Sequence, residues 1–262
     1  AGPGATRTLA DMGATVIRVE SSSRLDVIRT IRPFIDSDES PEKSALFHNT
    51  NAGKNLLSLD LTKPEGKAVA LDLVRWCDVV TESFSPKAMK AFGLDYESLL
   101  EVNSDLIMLS TCLFGQTGPL SMFAGYGNLA AAIAGFYTIT GWPDREPAGP
   151  FGAYTDYIAP RYNAAAILAA LDHRDRAGEG QHIDLAQAES AMHFLTPAIL
   201  DYMANDKVQS RIGNSDPNFA PHGVYPVSGD DAYIAIACET DEQWHAFNDL
   251  LSISDASAKL YN

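Results

Sequence analysis

The chain has 262 residues, 46% hydrophobic and 20% charged, with 19 Lys and Arg against 34 Asp and Glu, a formal charge of −15. That length can bury a full core, but the acidic balance excludes a nucleic-acid surface, which needs clustered cations to release counterions. No run approaches the ~18 apolar residues of a membrane span, whereas an anionic small ligand stays allowed, because the field in a cleft can oppose the net charge.

Strand-like and helix-like segments alternate along the chain. A helical pattern over residues 5–12 precedes a β-rich run at 14–20, and residues 55–61 read as the next strand. The apolar residues of 63–77 recur at helical spacing, and strands follow at 77–84 and 105–112 with short helical turns between them. Later come a helix at about 158–172, a strand at 181–186 and a second long helix at 187–204. Strand, crossover helix, strand predicts an α/β fold with a mostly parallel sheet covered on both faces.

Two long stretches, 113–156 and 205–222, are rich in Gly, Pro and polar residues and read as irregular. Beyond them residues 232–238 predict a strand and 240–251 a helix opened by a Thr/Asp cap. The expected division is a large domain over 1–218 and the start of a smaller α+β domain over 219–262. No strand precedes the opening helix and the second domain only begins, so the chain reads as a fragment or as a truncated relative of a longer protein. Cys77, Cys112 and Cys238 are odd in number and sit in apolar segments, which predicts free thiols in the cytoplasm. The six histidines have no ligand spacing, so no metal is expected.

The opening AGPGATRTLADMGATVIRVE imitates a dinucleotide fingerprint, with Gly2-Pro3-Gly4 ahead of a helix and Glu20 closing the next apolar run. The fingerprint fails in detail. Its third glycine, which lets helix and strand approach, is replaced by Arg7, and no strand comes before Gly2. Taken alone, the motif is a helix start with Pro3 in the first turn.

Residues 152–190 are more informative. Thr155 or Asp156 is placed to cap the helix through AAAILAAL, with Pro160 in its first turn. Asp156 is then either a cap alone or a carboxylate kept ionised by the helix N-terminus and available as a nucleophile.

With GAYTDYIAPRY and its RAGEGQHIDLAQAE continuation, the sequence resembles the class III CoA-transferases, a family that includes formyl-CoA and carnitine CoA-transferases and the α-methylacyl-CoA racemases. The motifs run in order over nearly the whole chain: the opening stretch, NAGKNLLSLDLTKPEGK, DVVTESFSPKAMKAFGLDYESL, FGQTGPL, the Asp156 helix and APHGVYPVSGDDAYIAIA. The resemblance implies a Rossmann-like domain adapted to coenzyme A, so the opening motif announces the architecture and not the ligand. It implies that Asp156 attacks a donor acyl-CoA, passing through an aspartyl anhydride and an aspartyl-CoA thioester to an acceptor carboxylate. CoA is then a co-substrate, with no bound cofactor. The resemblance places Leu59, Ser83, Phe84, Ala88 and Phe92 at the CoA pocket, Asn51 and Lys54 near phosphate or adenine, and Tyr126 near the acyl group. For Leu59, Phe84 and Phe92 plain core packing is the competing reading. It also implies a homodimer whose chains interlock, with acyl-CoA and small carboxylic acids as partners.

Where the racemases carry a His-Asp pair, this chain has Tyr126-Gly127, which favours transfer over racemisation. NSDPNFAPHG stands where formyl-CoA transferase has a glycine-rich loop, which disfavours formyl and oxalyl substrates. Arg145, Arg161 and Arg211 are either substrate-carboxylate ligands or partners of the many acidic residues. The alternatives to the transferase are a racemase-like enzyme and a non-catalytic CoA-binding fragment.

Overall fold

A computed structural model describes residues 1–252 of the chain; residues 253–262, the end of the segment assigned to the smaller domain, lie outside the described part. Contacts divide the chain into two compact units, one of residues 1–134 and 151–197, the other of residues 135–150 with the chain from Ala198 onward. Their limits differ from the 218/219 boundary of the sequence.

In chain order the elements are α1 (Gly2–Asp11), β1 (Ile17–Glu20), α2 (Ala45–Asn51), β2 (Asn55–Ser58), α3 (Pro64–Trp76), β3 (Val79–Glu82), α4 (Ala88–Phe92), α5 (Tyr96–Leu100) and β4 (Ile107–Cys112). Then come α6 (Gly127–Ala134), α7 (Phe136–Ile139), α8 (Tyr154–Ala177), β5 (His182–Ala186), α9 (Gln187–Met192), α10 (Thr196–Asn205), β6 (His222–Pro226), β7 (Tyr233–Ala237) and α11 (Asp241–Leu251). The fold is α/β, and all five strands of the first unit pair in parallel. They form two sheets instead of one, β1-β2 and β3-β4-β5.

β4 lies at the centre of the three-stranded sheet, and alternation assigns its two faces. Met108 joins Val74, Leu94, Leu99 and Leu106 in a core closed by α3 and α5. Thr111 points the other way and accepts from Asn163 Nδ2 of α8 at 3.2 Å, on the face where α8 packs. Helices therefore cover both faces, and Ile107 and Leu109 are fully buried. α8 ends at Gly178, whose φ of 74° is the left-handed conformation that stops a helix without a Cβ clash.

Three further expectations change. The stretch 113–156 is not irregular throughout, because α6 and α7 form within it. The helix expected over 187–204 is interrupted: a 3-10 turn at His193–Leu195 separates α9 from α10. Pro197 has no N–H for the His193 carbonyl, and the Thr196 hydroxyl donates to that carbonyl instead, at 2.6 Å. Finally, α8 starts before Thr155, with consequences for Asp156 described below.

In the second unit β6 and β7 pair antiparallel, Val224 opposite Ala235. Thr240 Oγ1 accepts from Gln243 N at 3.3 Å and caps α11. Among the described residues no helix is long and apolar enough to cross a membrane, and no cluster of His, Cys, Asp and Glu is arranged to hold a metal.

Candidate active site

Asp156 lies inside the first turn of α8, whose N-cap position is Ala153, so neither Thr155 nor Asp156 caps the helix. Both side chains are held elsewhere. Asp156 Oδ2 accepts from the Gly127 N–H at the start of α6, 2.9 Å away. The buried Thr155 hydroxyl lies 3.2 Å from the Gly127 carbonyl and 3.0 Å from Gln187 Oε1 of α9. Pro160 is inside the helix and not in its first turn, so it offers no N–H to the Asp156 carbonyl one turn back.

The Asp156 side chain keeps 32% of its surface exposed, and the Ala1 nitrogen ahead of α1 lies 3.8 Å from Oδ1. The starts of α1, α6 and α8 thus converge on one carboxylate. Each presents N–H groups without an intrahelical partner and the positive end of a helix dipole toward it. The approach is close: a Cβ on Gly127 would stand 2.7 Å from Asp156 Oδ2 and 2.8 Å from both the Ala153 oxygen and the Asp156 nitrogen. Tyr126, the preceding residue, is 59% exposed, and its carbonyl accepts from Leu129 N at 2.9 Å.

A second group sits in the turn between β3 and α4. Ser83 Oγ accepts from Gly2 N at 3.3 Å, which ties this turn to the start of α1. Phe84, half exposed, meets Phe92 edge-on at 6.1 Å between ring centroids. Phe92 also packs on the core under α3, and Ala88 opens α4 with its N–H on the Ser85 carbonyl at 2.9 Å.

This turn depends on Glu82, which the sequence reading passed over. Its Oε2 accepts from Phe84 N at 2.7 Å, and its Oε1 lies 3.5 Å from Gln116 Nε2. Gln116 N donates to both Asp184 oxygens, at 3.0 and 2.9 Å, so the FGQTG loop is fastened to β5. Glu82, Ser110 and Asp184 are register partners across the sheet. Burial pushes the Glu82 carboxyl up, opposed by hydrogen bonds from Ser110 and Phe84 and reinforced by the Asp184 charge. The available signal was polar residues inside otherwise apolar strands.

Asn51 and Lys54 face inward. Lys54 Nζ donates to the carbonyls of Pro3, Thr50 and the Asn51 side chain at 2.7, 2.9 and 3.0 Å, and Asn51 is buried. Burial, with repulsion from Arg18 and Arg7, brings the Lys54 ammonium down to about 7. Leu59 lies just past β2, half-buried, with its N–H on the Glu20 carbonyl at 3.0 Å. Glu20, expected to mimic a ribose ligand, instead forms a bidentate pair with the buried Arg29 at 2.6 and 3.2 Å. The structure thus gathers Ser83, Phe84, Ala88 and Phe92 at one turn and Asp156 beside Tyr126, while Asn51 and Lys54 support α1 from behind.

Arg161 donates to the Tyr157 carbonyl. Arg211 donates to the Trp142 carbonyl at 3.2 Å, and Arg145 lies over the Trp142 ring. The three cysteines are free, and burial pushes the Cys77 and Cys112 thiols up, which makes both poor nucleophiles.

The chain is 40% identical over 255 residues to a succinate–glutarate CoA-transferase of Agrobacterium fabrum, covering 97% of this chain and 63% of that protein. It is 34% identical to an acetyl-CoA:oxalate CoA-transferase of Acetobacter aceti, covering 95% and 63%. A crystal structure of a CAIB/BAIF family protein from Brucella suis superposes with a TM-score of 0.83 at 39% identity, covering 97% of this chain and 66% of that one. The chain therefore spans a little under two thirds of the length of these relatives. The family model described as CoA-transferase family III matches residues 1–260, and the chain belongs to that family.

Proposed function

We propose that the protein is an acyl-CoA:carboxylate CoA-transferase with Asp156 as its nucleophile. The observation that carries the reading is a partly exposed carboxylate on which three helix starts converge, with one oxygen held by a backbone N–H. The reaction runs through two anhydrides and one thioester on Asp156. The ionised carboxylate attacks the donor thioester carbon and expels CoA thiolate, which returns to the Asp156 acyl carbon and releases the donor acid. The acceptor carboxylate then displaces CoA from Asp156, and CoA thiolate takes the new acyl group and frees the enzyme.

Ser83, Phe84, Ala88, Phe92 and Leu59 take the CoA chain in this reading, and Tyr126 borders the acyl group. Asn51 and Lys54 act on CoA through the α1 turn they support. Gly127 brings no titratable side chain, so α6 offers no second acid/base group beside Asp156, and transfer is favoured over racemisation. The relative named for succinate and glutarate points to dicarboxylates longer than oxalate as the substrate class. Within the same reading, residues 1–218 form the CoA-binding domain and 219–262 open the smaller one. The protein works as a homodimer in the cytoplasm, where free cysteines and CoA thiol are both stable.

The test is mass spectrometry of tryptic peptide 146–161 after incubation with acyl-CoAs and a hydroxylamine quench. A hydroxamate on Asp156 supports the nucleophile, and the acyl-CoAs that yield it define the donor. An unmodified Asp156 in protein that binds CoA would point to a binding fragment without turnover.

A further inference from the structure

The two oxygens of Asp156 are not equivalent. Oδ2 is fixed by Gly127 N–H at 2.9 Å, and Oδ1 is the oxygen without that donor. The geometry points to a division of labour, resting on the transferase reading: Oδ1 is the attacking atom, Oδ2 remains the carbonyl oxygen throughout, and Gly127 N–H is the oxyanion donor for every attack on the Asp156 acyl carbon.

The electron bookkeeping selects this donor. In the first step Oδ1 bonds to the donor carbonyl carbon, and the C–S pair leaves with CoA thiolate. The negative charge that develops in that step is on the donor's own oxygen and not on Oδ2. When the thiolate then attacks Cγ of Asp156, the C=O pair moves onto Oδ2. Collapse re-forms that bond and breaks the bond from Cγ to Oδ1, which departs within the released acid. Attack by the acceptor carboxylate on the thioester repeats the event: charge gathers on Oδ2 and leaves with CoA thiolate. Both central steps therefore load the atom that Gly127 already holds, and neither needs the donor to move. A preorganised donor of this kind is worth about 10²–10³ in rate.

The surroundings keep that N–H in place. Thr155 Oγ1 reaches the Gly127 carbonyl at 3.2 Å, so the same peptide segment is held from both sides by α8. A Cβ at position 127 would press on Asp156 Oδ2 and two backbone atoms at 2.7–2.8 Å, so a residue without a side chain lets the N–H come this near.

The experiment replaces Gly127 by glycolic acid, converting one amide to an ester and deleting the N–H with no added atom. The same ester change at Asn128 controls for a weakened first turn of α6. We expect first labelling of Asp156 by donor acyl-CoA at the wild-type rate, while turnover between acids falls about 10²-fold. The Asn128 ester should retain both. Turnover within threefold of wild type in the Gly127 ester overturns the assignment, as does an equal loss in the Asn128 ester. Absence of label on Asp156 in the unmodified protein would instead overturn the transferase reading itself, so the two failures are distinguishable.

Discussion

Lys54 Nζ donates to the Pro3 carbonyl over 2.7 Å, so a buried ammonium on the segment before β2 fastens the first turn of α1. That turn carries Ala1 and Gly2, whose nitrogens approach Asp156 and Ser83. Burial of this ammonium makes stability depend on pH. The folded state holds Lys54 at about 7, below its ordinary 10.5, so the unfolded chain binds more protons between these values. Stability should rise with pH across that window. Lys54→Met should flatten the rise, measured as urea midpoints at intervals between those two values; an unchanged slope would show that Lys54 is not its source.

Glu82 has the opposite sign. Its folded carboxyl is raised above the ordinary 4.5, so its contribution is full below that value and is lost as pH rises through the folded one. Glu82→Gln keeps an acceptor for Phe84 N and should remove this decline. Glu82→Ala releases the Ser83–Phe84 turn, and in the transferase reading should raise KM for acyl-CoA more than it lowers kcat. Steady-state kinetics on the two variants separates charge from support.

Thr155→Val removes the single hydroxyl proton shared between the Gly127 carbonyl and Gln187 Oε1 and leaves a buried acceptor unpaired, at a cost of about 1–3 kcal/mol. Thr155→Ser keeps the hydroxyl and should recover most of the loss. Urea unfolding reads both, and a Ser variant as weak as Val would assign the effect to the methyl group.

Leu109 is fully buried on the central strand. Leu109→Ala should cost about 2–5 kcal/mol through lost burial and the cavity left behind. A loss below 1 kcal/mol in thermal or urea unfolding would mean that the sheet collapses onto the space.

In the transferase reading, Asp156→Asn should reduce transfer to background with little change in thermal midpoint, because Asn retains an oxygen for Gly127 N–H and loses only the carboxylate charge. Assay of CoA exchange between two acids decides this, and full activity in the variant would remove Asp156 from the mechanism.

Much of the fold was legible residue by residue. The apolar spacing of 63–77 matches α3, and the β-rich cores of 77–84 and 105–112 contain β3 and β4, because periodicity reports which face is buried. Element limits were less legible. Pro160 looked like a first-turn proline, yet α8 continues N-terminally past it, since Thr155 and Asp156 find partners on α6 and α9 that local sequence does not display. The Ala-rich α6 was hidden in a Gly- and Pro-rich stretch.

By itself the sequence determined the alternation of strands and helices, the ordered motifs of the family, and a carboxylate near the start of a long helix. Those features are written in local spacing and in residue identity. Tertiary structure decided which Asp156 oxygen is held, that Lys54 turns inward to α1, and that Glu82 carries the Ser83–Phe84 turn. Each of these is a hydrogen bond between groups brought together by folding: Lys54 and Pro3 are 51 positions apart and Gly127 and Asp156 are 29. No local pattern encodes such a pairing, because a buried polar group takes whichever partner packing brings to it.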